Sequence, residues 1–124
     1  MLNKILTHKV YDLVGTTNQE KNAVVLGKIL NDLNIIKDKI IGVLHLDKLF
    51  TETELNTVEI PLGKEKLNDF IFYQNNNNHL IDVEICLGTG LCLRKSSLTD
   101  KTHSHFKPFP IRGRRLSKIV RILL

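Results

Sequence analysis

Residues 86–92 read CLGTGLC, that is Cys86-Leu87-Gly88-Thr89-Gly90-Leu91-Cys92, a palindrome. A three-residue hairpin loop at Gly88-Thr89-Gly90 accounts for it, because such loops need positive φ and glycine adopts it freely. The predicted register then pairs Leu87 with Leu91, Cys86 with Cys92, Ile85 with Leu93 and Glu84 with Arg94. One face collects apolar pairs, and the other a thiol pair and an opposite-charge pair. Such cross-strand pairs contribute roughly 0.2–1 kcal/mol each. A slip of one residue would set Glu84 against Leu93 and mix the faces.

The hairpin reading displaces sharper ones. A phosphate loop needs its glycines between a strand and a helix, with a Lys-Ser/Thr step soon after. Here a second strand follows. Cys-x5-Cys is not the Cys-x-x-Cys redox spacing. Two cysteines in a chain of this length make no disulfide framework, and a reducing compartment is the default expectation. A zinc set of Cys86, Cys92, His103 and His105 matches no usual structural-zinc spacing. Two thiols on a sheet face remain.

Working outward, Ile81, Val83, Ile85 and Leu87 alternate with Asp82, Glu84 and Cys86, which predicts an antiparallel strand over 80–87 with one wet face. Phe70-Ile71-Phe72-Tyr73 predicts a strand within 67–74, and the asparagines at 75–78 suit the connector. With 88–95 this gives a meander over 67–95. Thr57–Leu62 reads as an edge strand ending at Pro61. Lys39–Leu46, KIIGVLHL, reads as a short buried strand holding His45, followed by a short helix or helical turn over 47–55. Leu2, Ile5, Leu6, Val10 and Leu13 predict a helix over 2–14 that Gly15 ends. Thr17-Asn18-Gln19-Glu20 reads as a capping box opening a helix that runs to about Asn34. The expected fold is one α+β domain over 1–100. Two N-terminal helices pack on an antiparallel sheet of about five strands, and residues 101–124 form a basic C-terminal arm ending in a short helix or strand.

The 124 residues carry a formal charge of +5, unevenly placed. Residues 94–124 hold nine basic side chains against Asp100 alone, or +8, and the preceding 93 hold nine basic and twelve acidic ones, or −3. Such asymmetry predicts a polyanionic partner. Pro108 and Pro110 keep their neighbourhood extended. The expected nucleic-acid contacts are Lys101, Lys107, Arg112, Arg114, Arg115, Lys118 and Arg121 on phosphates, with Phe106 and Phe109 stacking on unpaired bases. Ile111–Lys118 is similar over eight residues to the closing-strand motif of the small-subunit ribosomal protein of the OB-fold type. It lacks that motif's proline, and no family is adopted from it.

The function expected from sequence is thus a noncatalytic nucleic-acid-binding subunit, RNA before DNA, as in a ribonucleoprotein or larger complex. The alternative is an adaptor whose arm docks on an acidic protein surface. An enzyme ranks third. His103-Ser104-His105 juxtaposes a hydroxyl and imidazoles in sequence only, Asp82 and Glu84 read as a solvated strand face, and no nucleophile, base and orienter stand together. No cofactor or metal is called for. No apolar run approaches the ~18–20 residues of a membrane span, and the start lacks a signal-peptide core. An intracellular, cytoplasmic location is the default, with an organellar one open.

Overall fold

The computed structural model describes residues 2–52, 55–95 and 105–124. Three helices pack on one face of a six-stranded antiparallel sheet. α1 (Leu2–Tyr11) buries Leu6 and Val10, one turn apart on one face. α2 (Asn22–Asp32) buries Ala23, Val25, Leu26, Ile29 and Leu30. α3 (Val43–Glu52) buries Leu46, Leu49 and Phe50, and the Phe50 ring meets Phe70 and Phe72 edge-on at 5.1 and 6.0 Å.

The strands are β1 (Thr57–Ile60), β2 (Phe70–Gln74), β3 (Leu80–Gly88), β4 (Leu91–Lys95), β5 (Phe106–Pro110) and β6 (Leu116–Ile122). Their order across the sheet is β1-β6-β2-β3-β4-β5. The meander β2-β3-β4 is the one read from sequence, and β5 extends it. β6 returns from the chain end to lie between β1 and β2. Alternation sorts the sheet into two cores. Phe70, Phe72, Val83, Ile85, Leu87, Leu93, Val120 and Ile122 join the helices. Ile71, Tyr73, Cys86, Cys92 and Ile119 form a smaller cluster on the other face.

The architecture is α+β as expected, with differences that have physical causes. Among the described residues there are three helices, the third being α3 where a short helix or helical turn was expected from residue 47, and six strands against about five expected. KIIGVLHL is not a strand. Gly42 precedes α3, Leu46, Leu49 and Phe50 repeat at helical spacing, and the His45 ring accepts the Ile41 amide at 3.2 Å. A short apolar run does not reveal its period. The capping box does not form either. The Asn18 side chain accepts the Glu20 amide at 2.7 Å, Thr17 bridges His105, and α2 begins at Asn22 after an extended Lys21 with no side-chain cap.

The hairpin keeps the predicted pairs Ile85–Leu93 and Cys86–Cys92, but a bulge sets Gly88 opposite Leu91. Gly88, Thr89 and Gly90 all take positive φ, at 85°, 53° and 76°. The wet face expected on β3 is dry at its centre, since Glu84 and Cys86 are fully buried. Phe106–Pro110 and Leu116–Ile122 of the expected arm are strands of the sheet, β5 on β4 and β6 central. The boundary expected at residue 100 lies outside the described residues.

Candidate functional site

A cavity of about 530 Å³ opens where the first turn of α2 meets β3 and β4. Lys21, Asn22 and Ala23 form one wall, Ile81 and Asp82 of β3 and Arg94 and Lys95 of β4 the other, with Val43 and Arg112 closing the ends. Asn22 and Asp82 face each other, and the Asn22 amide donates to Asp82 Oδ1 at 3.3 Å. The same oxygen accepts the Val83 amide at 2.8 Å, which fixes the carboxylate against its own strand. Lys95 donates to the Glu20 carbonyl and lies over the Phe106 ring, 5.4 Å from its centre.

Burial pushes the Asp82 pKa up, and the nearby Glu84 charge adds to it. The Val83 amide, Arg112 and Asn22 pull it back. Burial also pushes the Lys95 pKa down, against the charges of Asp82 and Glu20. Desolvation therefore makes both charged groups costly; Arg112 is the cation that relieves Asp82, and Asp82 and Glu20 are the charges that relieve Lys95.

Behind this cleft lies a buried polar knot. Glu84, fully buried, accepts from Arg94 Nε at 2.6 Å and from its terminal nitrogen at 3.3 Å, from the Cys92 thiol at 3.2 Å, and from Arg112 at 3.5 Å. Burial opposes the Arg94 charge, but the Glu84 carboxylate outweighs it and the Arg94 pKa rises. Burial, then Glu84, pushes the Cys92 thiol up to about 12, and burial raises Cys86 as well. Burial and Glu84 likewise raise the Tyr73 phenol. The predicted Glu84–Arg94 pair exists, as the centre of a buried network and not as a surface pair.

A second cavity, about 400 Å³, adjoins the first. It is lined by Tyr73, Arg114 and Arg115, and it shares Ile81, Asp82 and Arg112 with the main cleft. Arg112 stacks on the Tyr73 ring at 4.7 Å.

The residues expected to bind nucleic acid are dispersed. Phe106 is buried in the helix-side core and presents no ring to a base. Phe109 is half-buried under Arg94, whose guanidinium sits 5.2 Å from its ring centre. Arg121 makes a two-pronged pair with Asp69, both contacts at 2.8 Å. Lys118 pairs with Asp47 on α3 and lies over Phe72. Arg112 reaches Glu84. Lys107, Arg114 and Arg115 are exposed. Lys101, with His103 and Ser104 of the zinc and hydroxyl–imidazole sets, lies outside the described residues. Among the described residues no three His, Cys, Asp or Glu side chains group as a metal site.

No protein-family model and no curated protein matches the sequence. Among solved structures the chain is similar to the peptidoglycan hydrolase RipB from Mycobacterium tuberculosis, with a TM-score of 0.60 and 13% identity. The match covers 98% of this chain and 67% of that one. The two share a fold. At that identity the likeness carries architecture and not activity. It overturns the nucleic-acid-binding or adaptor subunit expected from sequence. The chain shares its architecture with that hydrolase, and three of the cations assigned to phosphates, Arg112, Lys118 and Arg121, hold carboxylates of their own chain.

Sequence reasoning missed Asn22 and Lys95, and dismissed Asp82 as part of a solvated face. Asn22 and Asp82 are 60 residues apart and Lys95 and Glu20 are 75 apart, so no local motif contains them. The one available signal was the lone acidic pair, Asp82 and Glu84, inside an otherwise apolar strand.

Proposed function

We propose that this domain is a binding module on a hydrolase fold, and that its cleft holds a peptide-like, carboxylate-bearing ligand of the cell-wall type without attacking it covalently. The observation that carries this reading is the lining of the cleft. Among the described residues it offers an amide, a carboxylate and four cations, and no thiol, hydroxyl or imidazole. Both thiols are buried in the cluster on the other sheet face, with pKa values raised, so neither supplies a thiolate nucleophile. Asn22 offers a donor and an acceptor, Asp82 an acceptor for a peptide N–H or ammonium, and Lys95 and Arg112 partners for carboxylates. The likeness to a peptidoglycan hydrolase supports the ligand class, because peptidoglycan contains amide-linked stems bearing carboxylates.

Calorimetric titration with soluble peptidoglycan fragments, followed by chromatography of the ligand, tests this. The expected result is saturable binding with the fragment recovered intact, weakened about tenfold or more by Asp82→Ala, as for loss of a charged hydrogen bond. Cleaved fragments would overturn the noncovalent reading, and absence of binding would overturn the ligand class.

A further inference from the structure

We propose that the cavity beside Tyr73, Arg114 and Arg115 is a subsite for the free carboxylate end of the same ligand. This rests on the cleft reading above. The two cavities share Ile81, Asp82 and Arg112, so one extended ligand passes from the α2 end into the arginine end along one wall.

Three observations single out this end. First, its charge is unbalanced: three guanidinium groups line it against the Asp82 carboxylate. Arg112 is held only loosely by Glu84, at 3.5 Å, since Arg94 takes the close contacts to that carboxylate. Arg114 and Arg115 have no acidic partner among the described residues. Second, the cationic loop is fixed. Arg115 adopts a left-handed φ of 68°, and its carbonyl accepts the Gln74 amide at 2.8 Å, tying the turn to β2. A non-glycine residue in that region is uncommon and needs such support. Third, the buried Tyr73 lines the cavity and its ring carries the Arg112 guanidinium, 4.7 Å from the ring centre, which sets the orientation of that fork.

The place of Asp82 beside the arginines favours a peptide carboxylate over a free phosphate. Arginine forks match a planar carboxylate in two-pronged geometry. Asp82 also sets a hydrogen-bond acceptor next to the subsite, where the last N–H of a peptide would lie.

The test uses a synthetic tetrapeptide of the peptidoglycan stem, as the free acid and as its C-terminal carboxamide, titrated into the wild-type chain, into R114Q/R115Q, and into K107Q as an exposed control. The free acid is expected to bind the wild type and K107Q about tenfold tighter than the carboxamide, and R114Q/R115Q is expected to remove that preference. All three positions are exposed, and thermal melts verify folding. Equal affinity of the two peptides for the wild type, or a preference that survives in R114Q/R115Q, would overturn the subsite and leave the cleft reading standing. If neither peptide binds, both fall. Displacement of the acid by inorganic phosphate at lower concentration than by acetate would overturn the carboxylate assignment.

Discussion

Replacing Arg94 with Met isolates the buried knot on which the cleft is built. Arg94 is 19% exposed and Glu84 is not exposed at all, and they meet at 2.6 Å. Surface ion pairs contribute ~0–1 kcal/mol, but removing one partner of a buried pair costs about 3–5 kcal/mol, because the remaining charge is stranded in a poorly solvating site. The remaining partners of Glu84, the Cys92 thiol and an Arg112 guanidinium at 3.5 Å, do not replace two close charged bonds. Arg94→Met is therefore expected to destabilise by about 3 kcal/mol or more, and to lower Tm by roughly 10 °C or more in a domain of this size. Urea denaturation monitored by circular dichroism measures it. The double variant Glu84→Leu/Arg94→Met removes both charges and is expected to recover most of the loss, since a well-packed apolar pair can match a buried ion pair. A loss below about 1 kcal/mol for Arg94→Met would place the pair with ordinary surface bridges and refute the buried-knot reasoning.

Three further outcomes follow from the same geometry. Burial raises the Asp82 pKa, so the folded state disfavours its charged form; below the unfolded pKa of about 3.9 the group is neutral in both states and carries no penalty, and the penalty grows as pH rises through the raised folded value. Asp82→Asn is expected to leave Tm unchanged near pH 3 and to raise it near pH 7, and a gain at pH 3 that vanishes at pH 7 would reverse the sign of the argument. Cys86 and Cys92, buried and with raised pKa values, are expected to resist iodoacetamide at pH 8 in the folded chain and to react in urea, as read by mass spectrometry; rapid labelling of the folded chain would contradict their placement. At Gly27 a Cβ would lie 2.5 Å from Ile40 Cβ, so Gly27→Ala is expected to destabilise by about 1–3 kcal/mol in chemical denaturation despite alanine's better helix propensity, and a stabilised variant would show that α2 and the segment before α3 are not in close contact.

The parts of the fold legible in sequence are those with a local cause. Glycines at 88 and 90 and alternation on both sides set the hairpin and two of its pairs, Cys86–Cys92 and Ile85–Leu93. The helical spacing of Ala23, Leu26, Ile29 and Leu30 set α2. What was misread depends on partners distant in the chain. Leu116–Ile122 is apolar enough for either a helix or a strand, and it becomes a central strand only because β1 and β2 flank it. The charge count misled for the same reason. Arg94, Arg112, Arg121 and Lys118 find carboxylates 10, 28, 52 and 71 residues away, so Glu84, Asp69 and Asp47 offset part of a C-terminal charge of +8 counted along the chain. The cleft was illegible because Asn22, Asp82 and Lys95 come from three elements and none belongs to a recognisable motif.

The most direct test of the central claim is an amide-correlation NMR titration of the labelled chain with soluble peptidoglycan fragments, with mass spectrometry of the ligand at the end point. The account predicts saturable shifts centred on Asn22, Ile81, Asp82 and Lys95, together with an unaltered ligand mass. Shifts centred away from that cleft, no shifts at all, or a cleaved ligand would contradict it.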